Sequence, residues 1–203
     1  MRSRTNILFL LLALTVVVLV VCDIIVGSVN LPLGQVLGVL TGSTTDPTIR
    51  SIVIDIRLLK AVIALLAGVA LSLSGLQMQT MFANPLAGPY VLGVSSGASF
   101  GVALFLLGAP LLGLTNLSAI SVIGTAGAAW IGAAAVLMLI IVLSRKIKDI
   151  MVILILGMMF GSAAPAVVEI LQYLSPEGAL KSFVVWTMGS LGSVSREQLL
   201  IMA

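Results

Sequence analysis

Long apolar runs alternate with short polar breaks along this chain, and most runs are close to the length of a membrane-crossing helix. The first covers residues 7–26, behind the basic head Met1-Arg2-Ser3-Arg4. A hydrocarbon core takes about 20 apolar residues in helical form, so one span fits. Residues 31–40 (LPLGQVLGVL) are too few to cross. With Pro32 suited to a first helical turn, they predict a short helix lying at the outer surface. Turn chemistry follows at residues 42–46 (GSTTD), with Pro47 behind it. A second span is expected over residues 58–82, where Ser72, Gly75, Gln77 and Gln79 suit a bundle-facing side. Asn84-Pro85-Leu86-Ala87-Gly88-Pro89 ends it, because each proline removes a donor and disfavours helix in the residue before it.

The pattern then predicts a third span over 90–107, a fourth over 117–143 and a fifth over 150–171. Ser175-Pro176-Glu177-Gly178 reads as an N-cap with proline at the first helical position. A short external helix over 179–188 and a turn over 189–193 come next. Ser195-Arg196-Glu197-Gln198 opens another apolar stretch, the start of a sixth span, and the sequence stops at Ala203. The expectation is therefore a fragment or a truncated product.

Small residues recur inside these spans at helical spacing. Gly93, Gly97 and Gly101 stand at i, i+4 and i+8, which predicts one helix face open to a neighbouring backbone. Gly124, Ala128 and Gly132 repeat the seam in the fourth span, and Gly157 and Gly161 in the fifth. Such seams predict a tightly packed bundle. The rival reading of residues 93–101 (GVSSGASFG) as a phosphate loop lacks the Lys-Ser/Thr ending and the preceding strand.

Composition sharpens the class. Of 203 residues, 60% are hydrophobic and 8% charged, against roughly 25% charged in a soluble domain. That is too few polar side chains to cover a water-facing surface, so the chain reads as an all-α polytopic membrane protein forming a single domain. The net charge of +3 is small and the cations sit at the ends of apolar runs, which argues against a nucleic-acid partner. One cysteine and no histidine exclude a disulfide framework and the usual zinc sites; no metal and no cofactor is expected.

Leu19-Val20-Val21-Cys22 resembles a lipoprotein cleavage box, but Val21 stands where a small residue is wanted, and the run exceeds a typical signal core. A retained first span is expected instead, with Arg2 and Arg4 holding the N-terminus in the cytoplasm. Counting spans puts the basic loop Ser144-Arg145-Lys146-Ile147-Lys148-Asp149 on the same side, in agreement with the charge rule. Arg50, Arg57 and Lys60 fall on the outer side, against that rule, and only Asp46 and Asp55 offset them. Cations kept on the wrong side point to a job there. Asp23 and Glu169 lie near the outer ends of the first and fifth spans. A carboxylate inside the membrane is a candidate proton relay, and snorkelling to water is the plainer reading. Pro165 is expected to kink the fifth span, Met158-Met159-Phe160 to pack, and Trp186 to anchor at the interface.

The stretch from Arg57 to Gly101 resembles the FecCD-like family of ABC permeases, membrane subunits that import iron–siderophores, haem and cobalamin. The family pattern of Arg-Leu-Pro-Arg stands here as Arg57-Leu58-Leu59-Lys60. Ser74-Gly75 with Gln79, Asn84-Pro85-Leu86-Ala87, Leu92-Gly93 and Gly97-Ala98 follow in family order. Trp186-Thr187-Met188-Gly189-Ser190-Leu191 matches the family's Trp-x-x-Gly-Ser-Leu. The resemblance implies a type II importer bundle of ten spans in the full fold, about five of them complete here. It further implies a homodimer in the bacterial inner membrane, in contact with lipid and driven by two cytoplasmic ATPase subunits. A periplasmic or lipid-anchored substrate-binding protein would deliver the ligand.

By that resemblance Arg57 and Lys60 dock the binding protein, although Lys60 in place of arginine loses the bidentate fork and Leu59 replaces proline. Asp149, Ile150 and Met151 map to the inner gate, with Gly157 and Gly161 on the path-lining helix behind them. The family's ATPase-coupling segment follows the sixth span and is absent here, so the chain as given is not expected to transport by itself. The function implied is ATP-driven import of an iron–siderophore or related metal chelate by alternating access. The permease itself would not be an enzyme. The rivals are an ion-coupled secondary transporter, for which repeats and midplane ion ligands are wanting, and a non-transporting membrane scaffold.

Overall fold

The computed structural model describes residues 2–43, 46–111, 113, 121–147 and 149–191, and among these the regular structure is helical throughout. The chain falls into two compact units, one of Met1–Val69 with Ser190–Ala203 and the other of Ala70–Gly189.

The first unit begins with α1, Arg2–Ile25. Its side chains stand exposed along the whole apolar length, with Phe9 and Leu10 about 70% open. A helix apolar all round needs hydrocarbon or a partner as its surroundings. The short α2, Leu33–Leu40, starts after Pro32, two positions into the predicted range of 31–40, and buries Val36 and Gly38. Asp46 caps α3, Pro47–Ser51, its Oδ1 accepting from Thr48 N–H at 2.9 Å and Ile49 N–H at 3.4 Å. The chain continues without a break through a π-helical stretch, Ile52–Leu58, into α4, Leu59–Met81. Wider π turns rotate the side chains that follow them and recur at functional sites.

The second unit holds α5, Val94–Ala103, a π-helical turn Leu104–Gly108, and α6, Ala109–Leu111. Then come α7, Ser121–Ser144, and α8, Ile150–Leu174, in which Pro165 lies without ending the helix. The amphipathic-length α9, Glu177–Met188, closes the unit. Pro176, not Ser175, is the N-cap of α9; Ser175 turns its hydroxyl back to Leu171 O. Gly189 ends α9 at φ +68°, a conformation that glycine takes without a steric cost.

Among the described residues four helices are long and apolar enough to cross a membrane: Arg4–Ile25, Val94–Leu111, Gly124–Ser144 and Ile150–Leu174. The expected second span coincides with α4, which is not among those four. Its 23 residues would reach about 34 Å, enough to cross, and Ser72, Gln77 and Gln79, expected to face the bundle, are exposed. The third span starts four residues later than the sequence predicts because residues 90–93 form turns, with Gly93 at φ +72°. The predicted start of the fourth span and the sixth apolar stretch lie outside the described residues.

Two apolar clusters make the core of the second unit. One joins Phe82, Ala87 and Leu92 to Ile140 and Ile153. The other joins Val102, Ala103 and Leu107 to Val168 and Phe183, with Trp186 packed against it. The Trp186 ring stacks on Phe183 with centroids 6.3 Å apart, so this residue is tied to the core.

Candidate functional site

The glycine seams are the densest contacts of the second unit, and they sort differently from their spacing. Gly97 and Gly101 face α7: a Cβ at Gly97 would lie 2.7 Å from Gly132 O, and one at Gly101 2.2 Å from Ala128 O. Gly132 returns the contact, its Cβ position only 2.1 Å from Gly97 O. A Cβ at Gly124 would lie 2.6 Å from the Phe105 ring. The pairs 97–132, 101–128 and 105–124 descend in step, so α5 and α7 run antiparallel with backbones in contact along two turns and more. Side chains there would force the helices apart.

Gly93 does not share that face. It is the left-handed N-cap of α5 and lies against α8, where a Cβ would come 3.0 Å from Gly157 O and 3.1 Å from Gly161 N. A Cβ at Gly157 would in turn lie 2.8 Å from both Leu92 Cα and Val91 O, and Ser96 donates to Gly161 O at 3.0 Å. The expected single face of Gly93, Gly97 and Gly101 is therefore two faces, because the helix begins one residue after Gly93. Two helices, α7 and α8, thus meet on α5.

The Asn84-Pro85-Leu86-Ala87 break is a built turn. Asn84 Oδ1 accepts from Leu86 N–H at 2.9 Å, Asn84 N–H reaches Gln79 O at 3.1 Å, and Ala87 N–H reaches Asn84 O at 3.1 Å. The Asn side chain supplies the acceptor for Leu86 N–H, closing an Asx turn across Pro85. Ala87 is buried in the core while Leu86 projects out, 89% exposed. Gln79 has its own side chain on the exposed side. At the start of α8, Asp149 is the N-cap, with Oδ1 accepting from Met151 N–H at 2.8 Å. Asp149, Ile150 and Met151 are all exposed, so the residues mapped to a gate stand free at a helix entry. A groove of about 370 Å³ opens beside α5, α8 and α9, with Ser95, Ser99, Glu169, Gln172 and Thr187 among its lining.

The two cations expected to dock a partner are placed unlike each other. Arg57 is buried, 5% exposed, and its guanidinium donates to the carbonyls of Ile24 (3.0 Å), Ile25 (2.8 Å) and Val29. Lys60 is exposed and its Nζ lies 3.5 Å from Asp23 Oδ1. The sequence pointed to both cations but not to their partners, Gly27 and Asp23. Gly27 is legible only as a glycine just past the end of an apolar run, and Asp23 only as an acid near that end.

A model of the FecCD transport family matches residues 13–203. The molybdate import system permease protein of Haemophilus influenzae is 32% identical over 93% of this chain and 55% of its own length. The hemin transport system permease protein of Yersinia pestis is 33% identical over 98% of this chain and 57% of its own. The vitamin B12 import system permease protein of Salmonella paratyphi A is 35% identical over 71% of this chain. A solved inward-facing conformation of a metal-chelate type ABC transporter superposes with a TM-score of 0.76 at 30% identity, covering 97% of this chain and 57% of that one. The matches thus span between 42% and 57% of the length of these relatives. With a family match over nearly all its residues and the family's own segments built into its turns and crossings, this chain belongs to the FecCD transport family.

Proposed function

We propose that the full protein is the membrane-spanning permease subunit of an ATP-driven ABC importer, and that its cargo is an iron–siderophore or a related metal chelate such as haem or cobalamin. The observation that carries this reading is the family match over residues 13–203, joined to relatives named for hemin and vitamin B12 import. A second cargo class, a metal oxyanion, enters because the molybdate permease is as similar to this chain as the hemin permease. The permease works as a homodimer in the inner membrane with its N-terminus in the cytoplasm. Two partner ATPases hydrolyse ATP, and their closure shifts the bundle between outward- and inward-open states.

In this reading α8 lines the path with Gly157 and Gly161 against α5, and Asp149, Ile150 and Met151 stand at the inner gate. A substrate-binding protein docks at the Arg57–Lys60 end, where Lys60 offers the exposed charge. Support for α8 beside the path is its close approach to α5, where Gly93 lies against Gly157 and Gly161 and Ser96 donates to Gly161 O.

The test is uptake by proteoliposomes holding the full-length permease, its neighbouring ATPase and its binding protein. ATP-dependent accumulation of a ferric siderophore, haem, cobalamin or molybdate identifies the cargo. Accumulation without ATP under an imposed ion gradient replaces this reading with a secondary transporter, and failure of any ATPase to co-purify removes it.

A further inference from the structure

Among the described residues Arg57 is the one charged side chain that is buried, and what it touches is the end of α1. That helix has no basic residue in its last turn. Asp23 stands there instead, where the negative end of the helix macrodipole disfavours a carboxylate. Val26 N–H satisfies Cys22 O at 2.8 Å, and carbonyls beyond it need donors from elsewhere. Arg57 supplies them, with Nη1 donating to Ile24 O and Ile25 O and Nη2 to Val29 O. The fit depends on Gly27, where a Cβ would sit 2.8–2.9 Å from Nε, Cζ and Nη2 of the guanidinium. Lys60, one turn further along, reaches Asp23 at 3.5 Å, with side chains 47% and 37% exposed.

We infer that Arg57 and Lys60 form a two-cation clamp on the end of α1 with unequal members. Arg57 is a positioning residue, fixed in place, that holds the end of the first span and the loop 26–30. Lys60 is the exchangeable member, held by Asp23 until a carboxylate on a docking protein takes it. The asymmetry follows from burial. A buried guanidinium bonded to three carbonyls cannot leave without stranding both its charge and its acceptors. An exposed Lys–Asp pair is weak and screened by salt, so a second carboxylate can replace the first at little cost. The fixed role stands on the geometry alone, whereas the exchangeable role rests on the importer reading.

The experiment uses the full-length permease with its ATPase in nanodiscs and the neighbouring binding protein as probe. Amide exchange at residues 26–30 reads the fixed role, and the Kd of the binding protein reads the exchangeable one. Arg57→Gln and Gly27→Ala should each speed exchange about tenfold or more, and the double variant no further, since both release the same guanidinium. Arg57→Lys should not restore protection, because the fork is lost. Asp23→Asn should tighten docking by up to about fivefold, the weight of one exposed pair, while Lys60→Gln weakens it and cancels the gain when combined. Unchanged exchange in both Arg57→Gln and Gly27→Ala overturns the fixed role. Docking that is unchanged or weaker in Asp23→Asn overturns the exchangeable one. If the binding protein does not associate with the unmodified complex, the exchangeable role falls with the importer reading, and the exchange data still decide the fixed role.

Discussion

The Arg57 end of the first unit and the glycine crossing of the second are both points where elements are fixed to each other, and they use opposite physics. At the crossing nothing polar is needed beyond Ser96: α5 meets α7 and α8 because side chains are missing and backbones can touch. At the other point a long charged side chain crosses a gap to reach carbonyls at a helix end. The first depends on shape and tolerates no added volume. The second depends on donors and tolerates no lost charge. Apolar surroundings favour both, since lipid gives no hydrophobic push between helices and no water for bare carbonyls.

The largest effect should come from adding volume at the crossing. Gly132→Val and Gly101→Leu should each lower stability by about 3 kcal/mol or more, since even their Cβ atoms would overlap backbone oxygen. Thermal denaturation of the detergent-purified protein reads this. Gly127→Ala, on the same helix with nothing within 4 Å, is the internal control and should be neutral or slightly stabilising. Equal losses at Gly127 and Gly132 would show that helix flexibility, not contact, matters there.

Next comes Arg57→Met, which keeps length and removes the donors. It should cost about 2–3 kcal/mol, by leaving carbonyls bare at a buried site, and the loss should not change with salt. A loss that fades at high salt would place Arg57 among ordinary surface charges and erase the contrast. Asn84→Ala should cost about 1 kcal/mol through the turn bond to Leu86 N–H, with Asn84→Asp retaining most of it. Smallest of all, Lys60→Gln should change stability by less than about 1 kcal/mol at low salt and by nothing measurable at high salt. A larger loss would make Lys60 a structural residue like Arg57.

Much of the fold was legible because its causes are local. Apolar runs gave the helices to within a few residues, Pro32 and Pro176 marked starts, and Asn84-Pro85 marked a break that became a turn, whereas Pro47 read only as part of a turn and opens a helix. Gly93 shows the limit. Its spacing from Gly97 is right for one helix face, yet the helix starts at Val94 and Gly93 turns to α8 instead. Spacing counts residues and cannot see where a helix begins.

The sequence by itself determined the class of this protein. Its apolar content forces spans, its small residues permit close crossings, and its motif segments mark the FecCD transport family. Only the tertiary structure decided which glycine meets which backbone, and that the two cations three residues apart part company. Asp23 and Gly27 lie more than 25 positions before Arg57 and Lys60 in the sequence. Whether a cation is buried on carbonyls or left facing solvent depends on which distant residues fold up beside it.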